Sequence, residues 1–384
     1  MKSRSLIING VFSNAVGHLI EALAVANSFK QCNPTLAVTL LVDASAPLRL
    51  LNCLDQREIC TIAVNTELFT DGADPRQGLC HIPRECTFLF TIRDERDVTW
   101  SNPGLKRFHT VFREWIKARY VTCLGEPLQP HMPHCALTQL MLKIPQADVN
   151  WANTFVSHRR SPRIVILTGS ATFQKAPTVN FWSALIRALI DVYPSAEIVL
   201  MGSLNDSRSP TQNISSADVN KLLTELPQCC SVFDQDILRQ LAVAELSQVF
   251  IAPHSGMGFA IQCVGVPWLA LSGGPVHEYF LNGIPFACVY PRCQRYPCNG
   301  QLPGHEMLED CKTIISEGTK PLICLDEAEM MPRLDEIVGK VSDLISGRRS
   351  YVECLEAHIS ELKARGIASS LIIDNSSLVI NSFL

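Results

Sequence analysis

Short apolar runs alternate with stretches of helical spacing from one end of the chain to the other. Residues 6–8 and 37–42 are apolar runs of strand length, the second closing on Asp43. Between them Leu19, Ala22, Leu23 and Ala26 recur at i, i+3, i+4 and i+7, one face of a helix that opens at Gly17. Residues 59–64 and 87–92 predict two further strands, and 99–121 a helix with Phe108, Phe112, Trp115 and Ile116 on one face. The alternation resumes with a strand at 163–167, a helix burying Trp182, Leu185, Ile186 and Leu189, and a strand at 197–201. A polar loop at 204–217, a helix near 218–226, a strand at 231–233 and a helix over 236–247 follow.

Residues 249–274 then read as strand, tight turn, helix, turn, strand. Val249, Phe250, Ile251 and Ala252 form a buried run, and His254-Ser255-Gly256 breaks it. Met257, Ala260, Ile261 and Val264 line one helix face, and Gly265 and Pro267 end that helix before the next strand at 268–271. This unit is either plain buried packing or a phosphate-holding turn, because free N–H groups and the positive dipole end gather where such a helix opens. Residues 334–347 and 350–365 read as closing helices, and the apolar tail 371–384 is too short to span a bilayer.

Strands alternating with helices in both halves predict an α/β protein of two doubly wound domains. Proline enrichment at 125–133 and weak periodicity at 145–162 put the boundary in the second of these stretches. The expected division is 1–155, 156–340, and 341–384 as C-terminal helices and tail.

Composition narrows the function classes. With 47% hydrophobic and 18% charged residues in 384, the chain should be well packed. A net charge of −4 without a block of Lys and Arg sets aside a nucleic-acid partner. The first residues lack a signal-peptide core and no 18-residue apolar run occurs, so a cytoplasmic protein without a transmembrane segment is expected. The 16 cysteines in so long a chain read mostly as reduced thiols, not as a disulfide scaffold.

Several residues could carry chemistry. His18 falls in the first turn of a helix at the carboxyl end of the first strand, where open α/β sheets bind ligands; it is a capping or surface residue otherwise. Thr168-Gly169-Ser170, with Lys175 five residues beyond, can wrap phosphate oxygens with N–H groups and a point charge. His277 and Glu278 follow the turn at Ser272, as ligand contacts or as surface loop. Cys293, Cys298, Cys311 and Cys324 are spaced C-x4-C-x12-C-x12-C, without the close pairs of a zinc knuckle, and read as a structural zinc or iron site or as ordinary thiols.

Three of these segments together resemble the GT-B glycosyltransferases of family nine, the ADP-heptose heptosyltransferase-like group. The stretch Val16-Gly17-His18-Leu19-Ile20-Glu21-Ala22-Leu23 is similar to the group's N-terminal Gly-Asp-apolar motif. Gly169-Ser170 with Lys175 is similar to its Gly-Ser…Lys turn, and His254-Ser255-Gly256-Met257 with Gly265-Val266-Pro267 to its Asp-Ser-Gly-x-x-His…Gly-x-Pro block. The resemblance covers roughly residues 5–340, and around 253–286 it is similar to a subgroup from antibiotic and secondary-metabolite clusters.

The resemblance implies two Rossmann-like domains facing a cleft, an acceptor domain first and a nucleotide-sugar donor domain second. It implies His18 as the catalytic base, with Gly17, Gly169, Ser170, Lys175, His254, Ser255, Gly256 and Met257 at the donor. The family's aspartate is replaced by His18, which can still take a hydroxyl proton near neutral pH. His254 replaces a second aspartate, and Gly258 and Phe259 stand where the family has a histidine. The resemblance further implies inverting transfer to a small-molecule, glycan or protein acceptor. With no Asp-x-Asp motif, no metal is expected at the diphosphate and no cofactor for catalysis. Some relatives carry cysteine-rich, metal-binding insertions at the place of Cys293–Cys324. Alternatives on the same fold are a nucleotide-sugar epimerase and a non-catalytic sugar-nucleotide-binding protein.

Overall fold

The computed structural model describes residues 5–11, 15–54, 59–70, 74–83, 86–92, 103–117, 122–123, 140–157, 159–170, 176–204, 214–273, 286–292 and 324–350, with a few positions between 353 and 364. These residues form two compact units, the first reaching Lys143 and the second beginning at Ile144.

The first unit holds a parallel sheet of β1 (Ser5–Asn9), β2 (Ala37–Asp43), β3 (Ile59–Val64), β4 (Phe88–Thr91) and β5 (Thr122–Cys123), in the order β3-β2-β1-β4-β5. Helix α1 (Val16–Cys32) connects β1 to β2 and buries Leu19, Leu23 and Ala26, as the spacing predicts. Gly10 makes that packing close: a Cβ there would lie 2.9 Å from the Ala22 Cβ. Helices α2 (Pro75–Leu79) and α3 (Pro103–Lys117) flank the other side, with Phe69, Phe108 and Phe112 in one aromatic cluster. Asp43, at the end of β2, is spent on its own turn: it accepts from the Ser45 N–H at 2.8 Å and from Thr66 Oγ1 at 3.2 Å.

The second unit opens with α4 (Gln146–Phe155), inside the stretch where the sequence shows little periodicity. Trp151 stacks on Phe155 one helical turn on, and a tertiary contact holds the helix in place, the Arg239 guanidinium lying 4.9 Å from the Trp151 ring centroid. The sheet comprises β6 (Arg163–Leu167), β7 (Glu197–Met201), β8 (Cys229–Ser231), β9 (Val249–Pro253), β10 (Trp268–Leu271) and β11 (Phe286–Val289), ordered β11-β10-β9-β6-β7-β8 and parallel throughout. Numbered within the unit this is 3-2-1-4-5-6, the order of a complete dinucleotide-type doubly wound sheet.

Both faces are covered, which is why its strands are continuous apolar runs and do not alternate. Ile164, Ile166, Ile198, Leu200 and Leu269 share one core with α5 (Val179–Val192), α6 (Ser216–Glu225) and the closing helix Leu334–Ile345. Phe250 and Trp268 point the other way, toward α7 (Ile237–Glu245) and α8 (Gly256–Gln262), where Phe259 meets Trp268 at 6.0 Å. The amino-terminal end of the sheet is tied by Arg163, whose Nε lies 2.6 Å from Glu197 Oε2 while its Nη atoms donate to the Leu246 and Ser157 carbonyls. Among the described residues no helix is long and apolar enough to cross a membrane.

Candidate functional site

In the second unit the chain leaves β6 in one direction across the sheet and β9 in the other, so the topological switch point lies between these two strands. Ligands of open α/β sheets bind outside the carboxyl ends at that point. Thr168-Gly169-Ser170 leaves β6 there, and His254-Ser255-Gly256-Met257 leaves β9 there. The two segments predicted from sequence are thus neighbours, although 84 positions separate Ser170 from His254.

Their side chains divide into bracing and exposed groups. Ser170 is wholly buried and its hydroxyl donates to the His254 carbonyl at 3.4 Å. His254 is buried, extends the ladder by donating its N–H to Leu271 O at 3.2 Å, and sets its ring edge-on to Phe259. Ser272 lies beside it past the end of β10; its N–H bonds Val289 O at 2.9 Å, and its buried hydroxyl has no hydrogen-bond partner among the described residues. Ser255, Gly256 and Met257 are half-buried and form the accessible rim of this end of the sheet.

The local sequence dictates that rim. Ser255 is extended and caps α8, its Oγ accepting from the Gly258 N–H at 3.3 Å. Gly258 is required by packing, since a Cβ would fall 2.2 Å from the Trp268 ring. Gly265, at φ 84°, ends the turn after α8 and explains why the helix stops short of Val264.

In the first unit the switch point lies between β1 and β4. Gly17 and His18 are half-buried in the first turn of α1, which has no side-chain cap and no acidic residue. Glu21, one turn on, is buried. Sequence reasoning passed over Asn9 and His109: Asn9 ends β1, is buried, and places its Nδ2 3.3 Å from Nδ1 of the equally buried His109. Their separation of 100 positions left no signal in the pattern.

Lys175, His277, Glu278, Cys293, Cys298 and Cys311 lie outside the described residues, and Cys324 is half-buried. Among the described residues no three His, Cys, Asp or Glu side chains are grouped to hold a metal ion. Burial pushes the thiols of Cys229 and Cys230 up to about 12 and also raises that of Cys263, in the turn after α8. They are protonated near neutral pH and offer no thiolate.

No family model matches the chain. A structure of ADP-heptose lipopolysaccharide heptosyltransferase II from E. coli is similar over 90% of this chain and 99% of its own, with TM-score 0.54 and 14% identity. A glycosyl transferase family 9 structure from Veillonella parvula DSM 2008 is similar over 88% and 98%, with TM-score 0.54 and 12% identity. This is the heptosyltransferase GT-B fold. The iron-containing dodecameric glycosyltransferase TibC of enterotoxigenic E. coli shares it over 88% of this chain and 76% of its own, at TM-score 0.50 and 12% identity. A curated ribosomal RNA large subunit methyltransferase E from Methanospirillum hungatei is 28% identical over 90 residues, which span 22% of this chain and 43% of that protein. The chain therefore spans less than half the length of the curated relative it matches.

Proposed function

We propose that the protein is a glycosyltransferase that moves a sugar from a nucleotide-diphosphate sugar to an acceptor hydroxyl. The observation that carries this reading is the meeting of the β6 and β9 carboxyl-end turns at the switch point of a sheet with dinucleotide-type strand order. The GT-B fold shared with heptosyltransferases supports it.

In this reading the donor lies on the second unit. Backbone N–H groups of Ser255, Gly256 and Met257, together with the Gly169-Ser170 turn and Lys175, hold the diphosphate. Ser170 and His254 shape the site from below, their buried contacts keeping the two turns in register. His18 of the first unit takes the proton of the acceptor hydroxyl as its oxygen attacks the anomeric carbon. The anomeric C–O bond breaks with its electron pair going to the nucleoside diphosphate, whose charge the fixed N–H groups and Lys175 stabilise. Direct displacement inverts the anomeric centre, and no metal is assigned to the diphosphate.

A TibC structure is described in complex with ADP-D-beta-D-heptose, which makes ADP-sugars the first donors to try. Thermal-shift screening against ADP-, GDP-, UDP- and dTDP-sugars tests the reading, because a donor that binds the fold raises its melting temperature by mass action. A donor that stabilises the protein but gives up its sugar equally fast in His18→Ala removes the base assignment; no stabilisation by any donor removes the reading altogether.

A further inference from the structure

Asn9 makes two side-chain hydrogen bonds whose directions are fixed by chemistry. Its Oδ1 accepts from the Val11 N–H at 3.2 Å, and a backbone N–H can only donate, so the amide NH2 lies on the opposite side. That NH2 faces His109 Nδ1 at 3.3 Å and can itself only donate. His109 Nδ1 must therefore carry a lone pair, and the ring proton sits on Nε2.

Between Asn9 and Val11 lies Gly10, whose N–H donates to Leu41 O at 3.0 Å and whose missing Cβ admits Ala22 of α1. Ala22 stands one helical turn after His18 on the same helix face. The end of β1 is thus tied to α3 through Asn9 and His109, and α1 is seated on that same end through Gly10 and Ala22. We propose that Asn9 is a positioning residue for His18: by holding His109 in its Nε2–H tautomer it fixes the β1 terminus on which the His18-bearing helix rests. The proposal rests on the reading of His18 as the base.

Two exchanges separate this role from plain packing. Asn9→Asp keeps an oxygen for the Val11 N–H but turns the donor facing His109 into an acceptor, so Nδ1 must become protonated. His109→Gln keeps an acceptor for the Asn9 amide, whereas His109→Leu removes it. Nitrogen-15 NMR of histidine-labelled protein should show His109 Nδ1 unprotonated in the parent and protonated in Asn9→Asp. The His18 ring signals should move in Asn9→Asp and His109→Leu and stay near the parent's in His109→Gln. With a donor in hand, kcat should fall by about tenfold or more in Asn9→Asp while the donor KM stays within about twofold.

A protonated Nδ1 in the parent overturns the proposal, as do His18 signals that stay put in both disruptive variants. The NMR readings need no substrate, so a failure of the transferase reading, seen as no transfer by the parent enzyme, is distinguishable from a failure of the positioning role.

Discussion

The Ser170 hydroxyl donates to the carbonyl of His254, joining the carboxyl ends of two neighbouring parallel strands from which the chain continues toward opposite edges of the sheet. Both residues are buried, so the bond does not compete with water. Ser170→Ala should cost about 1 kcal/mol in urea unfolding, the net worth of one such bond. It should also weaken binding of a stabilising nucleotide sugar, because the Ser255–Met257 rim follows directly from His254. Calorimetric titration of the variant checks this; unchanged donor affinity would show that the rim holds its shape without the brace.

Gly258 is a packing glycine. Any Cβ there collides with the Trp268 indole, which is wholly buried and donates its Nε1–H to Ala252 O at 3.4 Å. Gly258→Ala should therefore destabilise by about 1–3 kcal/mol, although alanine is the better helix former by about 1 kcal/mol. The Trp268→Phe exchange, which shortens the ring, should relieve part of that cost in the double variant. Additive losses in a double-mutant cycle would be inconsistent with a direct clash.

The Arg163–Glu197 pair sits at the opposite end of the second sheet from the candidate site. Glu197 is buried and also accepts from the Ser157 N–H at 2.9 Å, so removing Arg163 strands a carboxylate in the interior. Arg163→Met should cost about 3–5 kcal/mol of stability. At a temperature where the variant remains folded, its affinity for a donor should match the parent's. A selective loss of donor binding would contradict the separation of the stabilising end from the binding end.

The contrast between these pairs shows what the sequence discloses. Strands β1, β2, β6, β7, β9 and β10 are readable because a covered parallel sheet needs unbroken apolar runs, and 163–167 or 249–252 can be little else. Strand β11 escaped notice, although Phe286–Val289 is an apolar run as long as β10. Strand β8 was expected at 231–233 and lies at Cys229–Ser231, its half-buried pattern giving no clear register. Helix α4 is stabilised by the contact of Trp151 with Arg239, a residue of α7 that no period in 145–162 announces. At the site, the turns themselves were legible through Gly, Ser and the apolar runs before them. The partnerships Ser170–His254 and Asn9–His109 were not, because they depend on which strands and helices lie side by side.

Thiol reactivity offers a check on burial. Cys229 and Cys230 have their thiols pushed up to about 12, first by burial and then by neighbouring charge. At about pH 8 only ~10⁻⁴ of each is thiolate, the form that attacks alkylating reagents. Iodoacetamide on the native protein should label the exposed Cys60 and Cys80 while leaving Cys229 and Cys230 intact, read by peptide mass spectrometry. Rapid labelling of the β8 pair would place that strand in a more open environment.

Acid sensitivity should follow the junction between β11 and the closing helix. Arg333 donates through Nε to Glu336 Oε2 at 2.9 Å and through Nη1 to the Tyr290 carbonyl at 2.6 Å, just past the end of β11. The hydrogen bond from Arg333, aided by the charges of Arg333, Lys340 and Arg292, holds the Glu336 carboxyl below its ordinary value of 4.5. A carboxyl with a depressed value in the folded state stabilises above its unfolded value and loses that contribution as pH falls through the folded one. The stability gap between the parent and Glu336→Gln should therefore be constant at neutral pH and shrink as the solution is acidified below about 4.5. Urea unfolding across that range measures it. A gap that widens on acidification would reverse the sign of the interaction and remove Glu336 as the partner that fixes Arg333 at this junction.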